Sequence, residues 1–485
     1  MEMSPPDMLP DHEVHLGTRI PEAPVAVKSD KLPQILAAVT ANMVIISAGT
    51  LLTWSSPATT LLQKEDGPFV ITDQQASWVG SLLALGAMFG SLPSGILITK
   101  MGRKNAILSL ALPVTLSWVL IVVTNSVVWL YVARFVAGLT LGGVSFTIPI
   151  YVAEVVEPSV RGPLASLLQV GFNLGILYAY AVGALGSYGL LNFTCLALPI
   201  LFLVLFVWMP DTPQYLLSKN DRAGAAKALQ WFRGKRCNVD EELQQLKEAA
   251  EENAKDKSSL KDLLSPLAVK ALVIPMGLVG AQQMGGICVL LFYTDSIFKA
   301  AGSTMSASVS SVVVGVVMLI MSICTMPLVD RAGRRILLLV SSFIEMLSLL
   351  VLGVYFLLKE QMQKDVDGIS WLPLACLIIY IIVYCIGLGP LPWVVMAEVL
   401  PPKVKGNAGG IVATFCWITS FIITNTFQTF IDYAGRYIAF WFFAVNCALA
   451  TVFIYFKVPE TKGLTLQEIQ TRLAGNRTNA TNGSL

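Results

Sequence analysis

Long apolar runs alternate with short clusters of charge along this chain. The runs fall near 34–57, 76–99, 106–124, 128–150, 163–185, 191–209, 269–297, 308–328, 337–358, 371–395, 408–430 and 435–457. Each is close to the roughly 20 residues that a helix needs to cross about 30 Å of hydrocarbon. A backbone that leaves water must satisfy its own N–H and C=O groups, so each run predicts a membrane-spanning helix. There are twelve such runs, six on either side of a polar segment at 214–265. The pattern predicts an all-α integral membrane protein with a tail (1–33), a six-helix bundle (34–213), a linker (214–265), a second six-helix bundle (266–458) and a second tail (459–485). Within the linker, Ala223 to Gln230 and Glu241 to Ala254 are rich in helix formers and charge. They predict short amphipathic helices along the membrane surface.

The two halves repeat each other. The stretch from Pro149 through Glu154 to Arg161 and Gly162 returns as Trp393 through Glu398 to Lys405 and Gly406. Gly102-Arg103-Lys104 returns as Gly333-Arg334-Arg335, and Pro210-Asp211-Thr212 as Pro459-Glu460-Thr461. Three paired signals in the same order imply an internal duplication, the mark of a pseudo-symmetric transporter.

Composition agrees: 55% of residues are hydrophobic and 13% charged, too apolar for a soluble core. Cytoplasmic loops retain cations. With the N-terminus inside, all but six of the 33 Lys and Arg fall on the inner side, the exceptions being Lys64, Arg134, Lys299, Lys359, Lys364 and Arg436. Both termini are therefore expected in the cytoplasm. The first 33 residues have no basic region leading into an apolar run, so no cleaved signal peptide is expected. The net charge of +2 implies no nucleic-acid partner. The eight cysteines lack paired or metal-ligand spacing. The only histidines, His12 and His15, lie in the N-terminal tail. No metal, cofactor, enzyme activity or obligatory protein partner is expected, only the bilayer and a small molecule. Asn192 heads a glycosylation sequon in a short outer loop, whereas the sequons at Asn476, Asn479 and Asn482 fall in the cytoplasm.

Glu154 and Glu398 each end a membrane helix, and a carboxylate there needs a partner. Arg103, Lys104, Arg334 and Arg335 are available from other loops, with Arg161 and Lys405 closing each repeat. Pairs across a helix seam would latch the inner side while the cavity faces outward, and break on the inward swing. Hydrated charges that only set topology are the plainer alternative.

Several motifs together make this chain resemble the sugar porter family of the major facilitator superfamily, over about 34–470. They are Gly95 to Lys104, Asp330 to Arg335, the two Glu boxes, Gln282-Gln283-Met284-Gly285-Gly286-Ile287, Gly389-Pro390-Leu391-Pro392-Trp393 and Pro459 to Gly463. The Ser55-Ser56-Pro57 ending of the first span is most similar to the branch of facilitated trehalose and glucose transporters. There are departures. Thr99 stands where the family has Asp, Asp211 and Gln214 replace a Glu and an Arg, and Lys405 replaces an Arg. Lys lacks the planar fork of Arg, so a looser latch is expected.

A sugar is a ring of hydroxyls with weakly apolar faces, best met by amides and aromatic surface. Gln169, Gln282, Gln283 and Trp393 meet that need, and Trp417 is a further candidate wall of the cavity. Amides inside a membrane face a cavity or glue helices together. The resemblance places Gln282 and Gln283 in the sugar site, and Phe292 and Tyr293 in an outer gate. It also places Asn where this chain has Cys288, Met318 and Cys416, which implies a low-affinity or altered-specificity carrier. Proton-driven members carry an Asp on the first span facing the Arg of the fourth. Here Arg134 is present but no acid lies between Leu32 and Gln63. Facilitative transport of a hexose or trehalose-type disaccharide by alternating access is the expected function. A proton-coupled symporter using Glu345, or a non-transporting sensor on the same fold, is the alternative.

Overall fold

The computed structural model describes residues 29–64, 68–234, 237–255, 265–302, 305–464 and 468–471. The N-terminal segment with its two histidines, and Asn476, Asn479 and Asn482, lie outside them. Twelve described helices are long and apolar enough to cross a membrane. In order they are Leu32–Thr53, Asp73–Met101, Arg103–Val123, Val127–Val155, Pro158–Gly183, Tyr188–Phe206, Pro266–Met284 continued by Ile287–Phe292, Ala307–Ala332, Arg334–Phe356, Leu372–Ile386 continued by Leu391–Val399, Pro402–Ala434 and Arg436–Lys457. No strand occurs among the described residues. An even number of crossings returns the helical region to the face on which it began, here the termini face; the opposite side is the far face.

Two spans expected to be continuous are broken where backbone chemistry requires it. The seventh breaks at Gly286, which has φ +91°, a left-handed conformation that glycine alone adopts freely. The tenth breaks at Gly387 to Pro390, because Pro390 and Pro392 have no N–H to continue the helical ladder. The first span runs on past Trp54, whose backbone stays right-handed helical, as Ser55–Leu62. The sixth span starts earlier than expected, at Tyr188, so Asn192 sits inside a helix and not in a loop. It is 1% exposed and accepts the Trp54 indole N–H at 2.7 Å, which removes it as a sugar acceptor.

Small residues let the helices approach closely, as membrane packing favours. A Cβ at Gly86 of the second span would lie 2.1 Å from the Phe135 carbonyl oxygen of the fourth, so that crossing requires glycine. Between the halves, the linker forms Pro213–Ser218, Arg222–Arg233 and Asp240–Lys255. Ala225, Leu229, Val239 and Leu243 make a small separate core there. Arg233 fastens this linker to the first bundle: it pairs with Glu242 at 2.6 Å and Glu157 at 3.3 Å and donates to the Val155 carbonyl at 2.9 Å.

Candidate functional site

The halves meet at the far face. Ser77 of the second span donates to the Asn425 carbonyl of the eleventh at 3.0 Å, and Ser81 to the Asn425 side chain at 3.2 Å. Ser56 accepts the Asp295 N–H at 3.0 Å. Tyr180 of the fifth span donates to the Leu291 carbonyl at 2.9 Å. Phe292 and Tyr293 are buried in this seal. Phe292 faces Gly80, where a Cβ would lie 3.4 Å from its ring. Tyr293 donates to the Thr424 carbonyl at 3.3 Å and packs on Phe427 with ring centroids 5.3 Å apart.

On the termini side of this seal lies a cavity of about 470 Å³, within the usual range of small-molecule sites. Both halves line it. Gln169, Gln282, Gln283, Cys288, Trp393, Cys416 and Trp417 are all on its wall, with Phe146, Phe172, Asn173 and Tyr384 added. Pro149, Ile150, Met396 and Gly409 carry the lining toward the termini face. The added residues gave no sequence signal, since an aromatic or amide on a span reads equally as packing.

The amides are held by the protein itself. Gln282 donates through Nε2 to the Leu388 and Gly389 carbonyls, at 2.7 and 2.8 Å, and to the Tyr384 hydroxyl at 3.2 Å. The tenth-span break exposes those carbonyls. Gln283 donates to Cys416 Sγ at 3.1 Å and accepts from Cys288 Sγ at 3.1 Å, so each thiol occupies one end of its amide. Gln169 donates to Asn173 at 3.4 Å, and Asn173 to the Met318 carbonyl of the other half at 3.0 Å. Thioether and aromatic groups, Met318, Met396, Phe146, Phe172, Trp393 and Trp417, make up much of the remaining wall.

At the termini face each half carries a charged brace. Arg103 donates to Glu154 Oε1 from Nε at 3.0 Å and Nη2 at 2.6 Å, while Glu154 Oε2 has no hydrogen-bond partner. Arg334 pairs with Glu398 Oε1 at 3.1 Å, and Thr461 donates to Glu398 Oε2 at 2.6 Å. The second copy, expected to be the looser, has both carboxylate oxygens engaged. Each pair lies within its own bundle, and both are formed while the cavity faces the termini. The expected pairing across a seam between helices is thus seen, with each Gly-Arg turn abutting the end of the fourth or tenth span of its own half, and the pairs are intact with the cavity facing the termini, where the expectation had them broken. Arg161 is exposed and, among the described residues, donates to the Val156 carbonyl at 3.4 Å without an ion pair. The Lys104 side chain makes no ion pair among the described residues, and Arg335 donates to the Tyr455 carbonyl at 2.5 Å. The Lys405 side chain lies outside those described.

The repeated Pro-Asp-Thr and Pro-Glu-Thr triplets complete the braces. Asp211 Oδ1 accepts the backbone N–H of Arg103 and Lys104, both at 3.1 Å. Glu460 accepts those of Arg334 and Arg335 at 3.0 and 3.1 Å. Each carboxylate thus caps a helix N-terminus remote in sequence, satisfying orphan N–H groups and the positive end of the helix dipole. The repetition marked these residues; their role needed the geometry.

The chain matches the family model described as "Sugar (and other) transporter" over residues 38–473. It belongs to that family. It is 38% identical to the "Facilitated trehalose transporter Tret1" of Polypedilum vanderplanki, covering 91% of this chain and 88% of that one. It is 37% identical to the protein of the same name from Drosophila willistoni, again over 91% of this chain, but it spans only about half (51%) of that relative's length. Among solved structures, the inward-open conformation of the xylose transporter XylE from E. coli aligns with a TM-score of 0.74, at 20% identity, over 90% of this chain and 98% of that one. The proton:xylose symporter XylE bound to 6-bromo-6-deoxy-D-glucose aligns with a TM-score of 0.72, at 22% identity, over 92% and 100%. The fold is that of the major facilitator superfamily.

Proposed function

We propose that this chain is a facilitative sugar transporter that works by alternating access, with its site in the cavity between the bundles. The observation that carries this reading is one cavity, walled by both halves, in which Gln169, Gln282 and Gln283 face Trp393 and Trp417. Amides supply hydroxyl contacts and the indoles stack on the weakly apolar face of a pyranose ring. The termini face is the cytoplasmic one, a reading supported by the basic loops, and the membrane is the cell membrane. Phe292 and Tyr293 serve as the outer gate, Cys288 and Cys416 as part of the sugar wall, and the Arg103–Glu154 and Arg334–Glu398 braces keep each bundle rigid as it rocks. The names of the relatives make trehalose a candidate substrate beside the hexoses.

Uniport is supported by the surroundings of Arg134. It is fully buried, donates to the Val79 and Leu51 carbonyls at 2.9 and 3.0 Å and lies 5.2 Å from the Trp54 ring. No carboxylate pairs with it among the described residues, so a proton has nothing to titrate beside this cation. Uptake of a panel of radiolabelled hexoses and disaccharides into proteoliposomes tests the whole reading. At least one sugar should equilibrate without an imposed pH gradient. Uptake that follows such a gradient, or no uptake of any sugar by folded protein, would refute it.

A further inference from the structure

The second bundle holds a carboxyl group that none of these roles uses. Glu345, in the ninth span, is 1% exposed and has no cationic partner among the described residues. A carboxyl group deep in a bilayer is unfavourable, and one found there is kept by what it contacts. Cys447 Sγ of the twelfth span approaches its Oε2 at 4.0 Å, and from Oε1 a directed chain begins. Ser341, one turn earlier on the same helix face, donates its hydroxyl to Glu345 Oε1 at 2.7 Å. The same Ser341 oxygen accepts the Leu388 N–H at 3.1 Å, on the break of the tenth span. The Leu388 and Gly389 carbonyls then accept from Gln282 Nε2 at 2.7 and 2.8 Å. The break rests directly on Ser341, since a Cβ at Gly387 would lie 2.2 Å from Ser341 Cβ.

A serine hydroxyl has one proton and rotates to suit its neighbours. Glu345 draws that proton away from Leu388, leaving the lone pairs turned toward the Leu388 N–H. We propose that Glu345 is a positioning residue: through Ser341 it holds the bend of the tenth span and, with it, the orientation of Gln282 in the cavity. Gln282 Nε2 is then engaged by backbone carbonyls, and its Oε1 is the end open to a sugar hydroxyl. Only this last step rests on the sugar-binding reading; the bend does not.

Amide hydrogen exchange over residues 384–393 of the purified full-length protein tests the bend. E345L and S341A should accelerate exchange at the break about fivefold, the loss of one hydrogen bond. E345Q, whose amide oxygen still accepts from Ser341, should stay close to wild type. S341A cuts the same link without enlarging anything, so it carries the test should E345L fail to fold. Acceleration spread evenly over the ninth, tenth and twelfth spans, or E345Q as fast as E345L, overturns the proposal. Sugar uptake by the same variants gives a second readout: KM raised in E345L and restored in E345Q, with maximal rate retained. Exchange confined to the break with KM unchanged upholds the bend and refutes the part assigned to Gln282 in sugar binding, so the two failures are separable.

Discussion

Gln283 lies between two thiols, with Cys416 on its nitrogen and Cys288 on its oxygen. A thiol is a weak donor and a weak acceptor, so this side of the cavity offers a sugar less than an amide pair would. Replacing either thiol by asparagine adds a full donor and acceptor at the wall. One hydrogen bond to a fixed hydroxyl contributes about 0.5–1.5 kcal/mol, so Cys288→Asn and Cys416→Asn should each lower KM about two- to tenfold in uptake assays. Unchanged KM in both variants would show that the thiols do not set affinity.

The interhelical turns are where single elements depend on remote partners. Gly102 and Gly333 have φ +90° and +88°, and a Cβ at Gly102 would lie 2.2 Å from Asp211 Oδ2. Gly102→Ala therefore meets both a strained backbone, about 1–2 kcal/mol, and a clash with the capping carboxylate. It should lower the melting temperature of the detergent-solubilised protein, whereas Gly162→Ala, with open space around it, should not. The Glu460 cap adds a pH dependence. Burial pushes its carboxyl up, but the backbone N–H groups of Lys462, Arg334, Arg335 and Thr461 outweigh that and hold it below its ordinary value of 4.5. A carboxyl depressed in the folded state stabilises above its unfolded pKa and loses that contribution as pH falls through the lower folded value. The melting-temperature gap between wild type and Glu460→Gln should thus be full at neutral pH and close only below pH 4.5. A gap that widens on acidification would refute the cap.

For the whole molecule, hydrogen bonds between the halves at the far face hold the cavity open toward the termini. Alternating access requires those contacts to part and the braced bundles to rock as units. Cysteines at Ser81 and Asn425, whose side chains are 3.2 Å apart, should form a cross-link that abolishes uptake and is reversed by reductant. Full uptake by the cross-linked protein would mean that the far face need not open.

The number of spans, the two-fold repeat and the polar residues Gln169, Gln282 and Gln283 of the wall were legible in the sequence, because run length and polarity are local and the family resemblance pointed to the glutamines, whereas Phe146, Phe172, Asn173 and Tyr384 carried no such mark. The duplicated Glu boxes and Pro-Asp/Glu-Thr triplets were legible for the same reason: repetition survives in the chain. What the tertiary structure alone decided is who meets whom. Arg103 and Arg334 each reach the glutamate of a neighbouring span in their own half; Gln283 is bracketed by thiols; Glu345 reaches the tenth-span break through Ser341; Asn192 is inside a helix. Each of these partnerships joins groups whose spacing is set by helix packing and by breaks at Gly286 and Gly387. Hydrogen bonds and ion pairs act over a few ångströms, and distances between remote residues are not encoded in any local pattern of hydrophobic and polar positions.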